Sequence, residues 1–267
     1  MKKLLIPTLA LAALVAACNG GGQKMSFQQI DRSESFKLDV PEDMMMDRGG
    51  DCYSTATVKL TVPVDVPEDL KNALLDVAFP EDTVSSDWDT AVGKFLGVPA
   101  DFGQTSSEKV ESVPDSAAFL LTKNVEIDTL AVTGGIRTFA VTQSGYLGGA
   151  HDYFSKAYVD YDLKGKKVVL PEDVVADSVA VAKMIVDKLV KDNGVASPAE
   201  LEAKGVVFSV ADVKVPANFY PEGDSIVFYY NPYEISSWAQ GEIKVALPVA
   251  ELAQYMTEYG KSLFQKK

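Results

Sequence analysis

Two pairs of glycines constrain this chain more than any other feature. Gly134-Gly135 separates extended runs at residues 126–132 and 136–141. Gly148-Gly149 lies within Ser144-Gly145-Tyr146-Leu147-Gly148-Gly149-Ala150-His151-Asp152-Tyr153, between two runs that read as strands. Glycine supplies the positive φ that tight reversals need, so the first pair reads as a hairpin that leads straight into the second stretch. Beyond it, residues 154–162 read as a strand, turned by Lys164-Gly165 into a short strand at 168–170.

The remaining periodicity mixes helices into this pattern. Val58, Leu60, Val62 and Val64 alternate with polar residues as a half-buried strand, with Pro63 at an edge or at its exit. Pro67 opens a helix with Leu70, Leu74 and Val77 on one face, and Trp88, Ala91, Val92 and Phe95 predict a second one closing at Gly97. Residues 24–50 predict an irregular entry with one strand near 35–40, and residues 100–116 a polar surface loop. Asp177 caps a helix through Val181, Met184, Ile185 and Leu189, and Ser197-Pro198-Ala199-Glu200 reads as a capping box. Residues 206–210 and 217–220 read as extended, 226–230 and 242–247 as strands. Pro248 begins a final amphipathic helix through Leu252, Tyr255, Met256 and Tyr259. Helices and hairpins mix without strict alternation, which predicts an α+β fold: a mainly antiparallel sheet packed with several amphipathic helices.

The first residues read as a processing signal. Lys2-Lys3 precede an apolar run at residues 4–14, too short to span a bilayer, and Val15-Ala16-Ala17 ends in Cys18. A cysteine placed so resembles the lipobox of bacterial lipoproteins, which implies lipidation of Cys18, and Asn19 after it resembles lipoproteins sent to the outer membrane. The expected organisation is a signal peptide at 1–17 and a tether with an entry segment at 18–50. An N-terminal α+β part at 51–139 and a C-terminal domain at 140–267 follow. The lipid is the expected membrane anchor, and Asn19-Gly20-Gly21-Gly22-Gln23 the flexible tether. With Cys18 lipidated, Cys52 has no thiol to pair with, so stability must come from a core. The formal charge of −13 argues against nucleic acid and favours basic partners or simple solubility.

No motif predicts catalysis, a metal site or a cofactor. His151 beside Asp152 invites a general-base or metal reading, but it is the sole histidine, and a hydrogen bond at a strand turn accounts for it. Ser144 lacks a nucleophile elbow, and Gly148-Gly149 lacks a phosphate-loop lysine. Asp160/Asp162 and Glu172/Asp173 can be drawn as acid/base dyads, yet 38 acidic residues predict such pairs on a solvated face. Aromatics cluster from Phe219 to Trp238; Phe228 and Tyr230 fall on one strand face and Tyr229 on the other, so part of the cluster is core. Tyr and Trp on adjoining loops suit an interface. Tyr146, Gly148, Gly149, His151, Tyr233 and Trp238 are the binding candidates, because each lies at or beside a predicted loop.

Three segments in order carry a family resemblance. They are the stretch from Ser144 to His151; Tyr161-Asp162-Leu163-Lys164-Gly165-Lys166-Lys167-Val168-Val169-Leu170-Pro171-Glu172-Asp173; and Phe228-Tyr229-Tyr230-Asn231-Pro232-Tyr233-Glu234-Ile235, followed by Gly241 and Pro248. Over residues 140–256 the chain resembles the extracytoplasmic domain of RsiV-type anti-sigma factors, a domain also found beside polysaccharide deacetylase domains and in free lipoproteins. From about Ser54 it weakly resembles the companion domain that precedes it. The resemblance implies binding rather than catalysis: in RsiV-type proteins the domain is a lysozyme receptor, and in deacetylases the catalytic residues sit elsewhere. The sequence shows no cytoplasmic sigma-binding segment and no transmembrane helix, so a membrane-spanning anti-sigma factor is not expected. The expected function is a lipid-anchored envelope module that binds or inhibits a lysozyme-like enzyme. The alternatives are binding of a cell-wall glycan or muropeptide (a peptidoglycan fragment) or, as a rival class, an envelope hydrolase using His151.

Overall fold

The computed structural model describes residues 25–39, 50–97 and 107–264. The expected leader, Cys18 and the tether lie outside the described residues. Among those described, no helix is long and apolar enough to cross a membrane.

Strand β1 (Ser26–Leu38) pairs antiparallel with β2 (Cys52–Val64) along its whole length, from Ser26↔Val64 to Leu38↔Cys52. An irregular segment with one short strand was expected here. Only Ile30 and Leu38 of β1 are buried, so no apolar period marks it; its cross-strand partners hold it extended. Within the expected loop, β3 (Ser107–Val110) pairs with Ser35–Leu38 of β1, and its exposed polar residues give no strand signal. Helices α1 (Glu68–Ala78) and α2 (Trp88–Phe95) follow the predicted faces, burying Leu70 and Leu74, then Ala91 and Val92. Asp87 caps α2 by accepting from the Thr90 N–H at 2.8 Å.

Strands β4 (Phe119–Thr129), β5 (Ile136–Tyr146), β6 (Tyr153–Asp162) and β7 (Lys167–Val169) complete a mostly antiparallel sheet of order β3-β1-β2-β4-β5-β6-β7. The parallel pair β2–β4 ends at Leu60↔Ile127, so Pro63 lies past it, at the strand's exit. The predicted glycine hairpin forms, with Gly134 at φ 62° and Gly135 at φ 94°. A side chain at Gly134 would meet the Leu263 carbonyl at 2.4 Å, so this turn also needs glycine for close packing.

Helices α3 (Pro171–Val174), α4 (Ser178–Asp192) and α5 (Pro198–Ala203) precede a second, three-stranded sheet of order β10-β9-β8. Its strands are β8 (Phe219–Glu222), β9 (Ser225–Tyr230) and β10 (Ile243–Pro248), all antiparallel. Val181, Ile185 and Leu189 of α4 share a core with Ile226, Phe228 and Tyr230 of β9 and Val245 and Leu247 of β10. The α+β expectation holds. The described residues fall into two compact units: those within 25–66, 78–128 and 143–153, and those within 67–77, 129–142 and 154–264.

Three local expectations need correction. The capping box at Ser197 does not close: its side chain accepts no cap hydrogen bond, and Glu200 accepts from the Ala196 N–H instead, at 3.2 Å. Residues 206–210, read as extended, join no strand and run into a 3₁₀ turn at Val210–Asp212. The final helix is broken into α6 (Val249–Leu252), a 3₁₀ turn, and α7 (Glu258–Phe264). Met256 is extended and bridges to Val175, while the Thr257 N–H donates to the Val174 carbonyl at 2.9 Å. The Thr257 hydroxyl donates to the Asp173 carbonyl and accepts from the Gly260 N–H, which restarts the helix.

Candidate functional site

The stretch after β5 is built by short-range bonds. The Tyr146 ring packs on Phe119 with centroids 5.6 Å apart, and its hydroxyl donates to the Gly149 carbonyl at 3.0 Å. Gly148 has φ 94°, and a β-carbon there would sit 3.3 Å from the Phe119 ring; Gly149 has neither constraint. His151 is exposed, its Nδ1 2.7 Å from the carbonyl of Asp152. Tyr146 and Gly148 therefore shape this loop, and His151 sits on it.

The aspartate pair is not on a solvated face. Asp160 is 2% exposed and Asp162 is buried as well. Alternation along β6 turns both inward together. Asp160 accepts from the Thr138 hydroxyl, and its Oδ2 has no hydrogen-bond partner among the described residues. Burial pushes its carboxyl up to about 8, against the opposing effect of Thr138. Asp162 is satisfied: Oδ1 accepts from the Lys164 N–H at 2.8 Å and Oδ2 from the Tyr259 hydroxyl at 3.0 Å. The second pair behaves as expected, with Glu172 exposed and Asp173 paired to Lys167 at 2.6 Å.

In the second unit, the turn after β9 presents Tyr233, 58% exposed at φ 72°. Trp238 stacks beside it, with centroids 6.2 Å apart and planes at 29°. The Phe208 N–H donates to the Ile235 carbonyl at 2.8 Å, which sets the backbone of Phe208, also 58% exposed, beside the same turn. Exposed carboxylates flank it. Glu202 accepts from the Val210 N–H at 2.6 Å, and Asp212 and Glu234 are exposed nearby along the chain. Behind this patch the aromatics are core: Tyr229 is fully buried, its hydroxyl donating to Glu242 at 2.5 Å. Burial and then the Glu242 carboxylate hold that phenol well above its ordinary range.

The first unit holds a groove of about 610 Å³ between the segment around α2 and the strand residues Lys123, Gln143 and Tyr153. Phe79 and Phe95 form one wall, with centroids 5.5 Å apart, and Lys123 Nζ lies 4.9 Å above the Phe95 ring. Asp82 fixes the rim: its Oδ1 accepts from the N–H groups of Val84 and Ser85 at 3.3 and 3.2 Å, and from Lys94 Nζ at 2.8 Å. The Lys94 ammonium, ahead of Ser85, holds the Asp82 carboxyl well below its usual range. Gln143 donates to the Ala78 carbonyl at 3.1 Å. Tyr153 is half-buried, and burial followed by the Glu81 charge raises its phenol.

The binding candidates thus divide: Tyr146, Gly148, Gly149 and His151 share one loop, and Tyr233 and Trp238 share one turn. Sequence reading missed Phe208, placed inside an expected extended run, and missed the groove, whose lining residues come from distant segments. An apolar residue, Val84, just after the turn-forming Pro80-Glu81-Asp82 was the available signal. No group of histidine, cysteine or acidic side chains suited to a metal ion occurs among the described residues.

Residues 172–250 match the family described as "Protein of unknown function (DUF3298)", so a DUF3298 domain lies there. It contains the turn with Tyr233 and Trp238. Two solved structures share the fold. One is a DUF3298 family member from Bacteroides fragilis, 18% identical with a TM-score of 0.65, covering 89% of this chain and 97% of that one. The other is a DUF3298 family protein from Pseudomonas aeruginosa, 11% identical with a TM-score of 0.62, covering 93% of this chain and 100% of that one. No curated protein matches the chain.

Proposed function

We propose that this chain is a lipid-anchored binding module of the bacterial cell envelope, and that it captures a cationic wall-lytic enzyme of the lysozyme type. Cys18 carries the lipid, which makes the membrane its first partner, and the RsiV-type receptor resemblance supplies the partner class. The observation that carries the reading is the patch of Phe208, Tyr233 and Trp238 in the DUF3298 domain. Large aromatics held out of a well-packed core cost exposure, and they are the residues that anchor protein interfaces. Carboxylates around them, in a chain of net charge −13, complement a basic partner and speed its encounter.

A binding role also accounts for the lone histidine. His151 Nδ1 lies 2.7 Å from the Asp152 carbonyl, a bond that fixes the shape of the turn, which is all a binding module needs of it. Titrating the purified chain with hen-type lysozyme, followed by an assay of lysozyme activity, tests the proposal. Saturable binding at micromolar affinity or better is expected, unchanged by His151→Ala. Absence of binding, or a hydrolytic activity of the chain that His151→Ala abolishes, would overturn it.

A further inference from the structure

We propose that the groove in the first unit is a saccharide site, separate from the aromatic patch of the DUF3298 domain and independent of enzyme capture. Four observations on the groove carry this.

The groove is preformed. Three hydrogen bonds to Asp82 Oδ1 lock the rim turn, the Asp82 N–H donates to the Phe79 carbonyl at 2.9 Å, and Gln143 ties the end of α1 to the strand floor. A turn so fixed needs no ordering when a ligand arrives. Its volume of about 610 Å³ falls within the range of sites that take one small ligand.

The same rigid turn holds Val84 out at 81% exposure, and Leu147, 43% exposed, lines the groove as well. With Phe79 and Phe95 these residues make an apolar wall. On the strand side Tyr153 offers a phenol, beside Lys123 and Gln143, which are held by Phe95 and the Ala78 carbonyl. Among the described residues the Tyr153 hydroxyl makes no hydrogen bond and is not one of the buried unpartnered atoms, so it is open to a ligand in the groove.

Charge narrows the ligand. The lining carries Lys94 and Lys123 against Glu81 and Asp82, a neutral balance within a chain of net −13. A neutral ligand therefore meets no uncompensated field. It must present an apolar surface to one wall and hydrogen-bonding edges to the other. A pyranose ring does this, with C–H groups on its faces and hydroxyls at its rim. An acyl chain would leave the Tyr153 side of the groove unsatisfied.

The test is titration of the full-length chain with two neutral disaccharides, N,N′-diacetylchitobiose and cellobiose, followed by ligand-observed NMR and calorimetry. At least one disaccharide is expected to bind saturably. Tyr153→Phe, which removes the hydroxyl alone, should weaken it by up to about tenfold. Val84→Asp, at a site too exposed to threaten folding, should abolish it. Tyr233→Ala should leave it unchanged while weakening lysozyme binding, so the two readings fail separately. Absence of saturable binding by both disaccharides overturns the proposal, as does binding that survives Val84→Asp and Tyr153→Phe undiminished.

Discussion

Asn231 grips Lys156 with both ends of its side-chain amide: Oδ1 accepts from the Lys156 N–H at 2.7 Å, and Nδ2 donates to the Lys156 carbonyl at 3.0 Å. Asn218 repeats the device one step along, accepting from the Tyr158 N–H at 2.8 Å and donating to the Lys156 carbonyl at 2.7 Å. Strand β7 pairs with β6 only at Asp160–Asp162, so these two amides take the place of a peptide ladder beside the first half of β6. The Asn-Pro-Tyr-Glu segment is thus first a structural clamp. Glu234 closes it, accepting from the Asn231 N–H at 3.1 Å.

Asn231→Ala should destabilise the chain by about 1–3 kcal/mol, because the Lys156 N–H loses its acceptor and the Lys156 carbonyl keeps only the Asn218 amide. Asn231→Asp keeps the acceptor and loses the donor, and should fall between. Urea denaturation reads both; a midpoint unchanged by Asn231→Ala would show that the clamp contributes nothing.

Asp160 gives stability a pH dependence. Its folded carboxyl titrates at about 8 against an unfolded value of 3.8, so between them the folded chain holds a proton that the unfolded chain releases. Stability from this group is therefore fully present below pH ~4 and lost as pH rises through ~8, by at most about 1.4 kcal/mol per unit. Asp160→Asn should flatten this slope, so that its stability relative to the parent chain improves steadily from pH 5 to 8. Parallel melting curves of the two proteins over that range would contradict the assignment.

The glycine pair at 148–149 is asymmetric. Gly148→Ala places a β-carbon at positive φ against Phe119 and should cost about 1 kcal/mol or more, whereas Gly149→Ala should stay within about 0.5 kcal/mol. Equal thermal shifts in the two variants would refute the distinction.

Much of the fold is legible in the sequence where the signal is local. Asp177 caps α4 as its position predicts, accepting from the Ala180 N–H at 3.0 Å, and Gly134-Gly135 turns the hairpin. What is hidden depends on distant partners. Strand β1 has no apolar period because cross-strand pairing, not burial, holds it. The last helix breaks at Met256 because Val174 and Asp173, far back in the chain, take the backbone and hydroxyl of Thr257. The burial of Asp160 and Asp162 follows from Thr138 and Tyr259, which no spacing links to them. For the site, Tyr233 and Trp238 are readable as loop aromatics, but Phe208 joins them only through the Ile235 carbonyl.

The most direct test of the proposed role is calorimetric titration of hen-type lysozyme into the chain and into a Phe208→Ser, Tyr233→Ser double variant, at low and high salt. Both substituted side chains are exposed, so the variant should fold. The account predicts saturable binding by the parent chain that weakens with salt, and a loss of at least about tenfold in the variant. Equal affinity in the two proteins would remove the aromatic patch from the interface. No binding by the parent chain at either salt would contradict enzyme capture altogether.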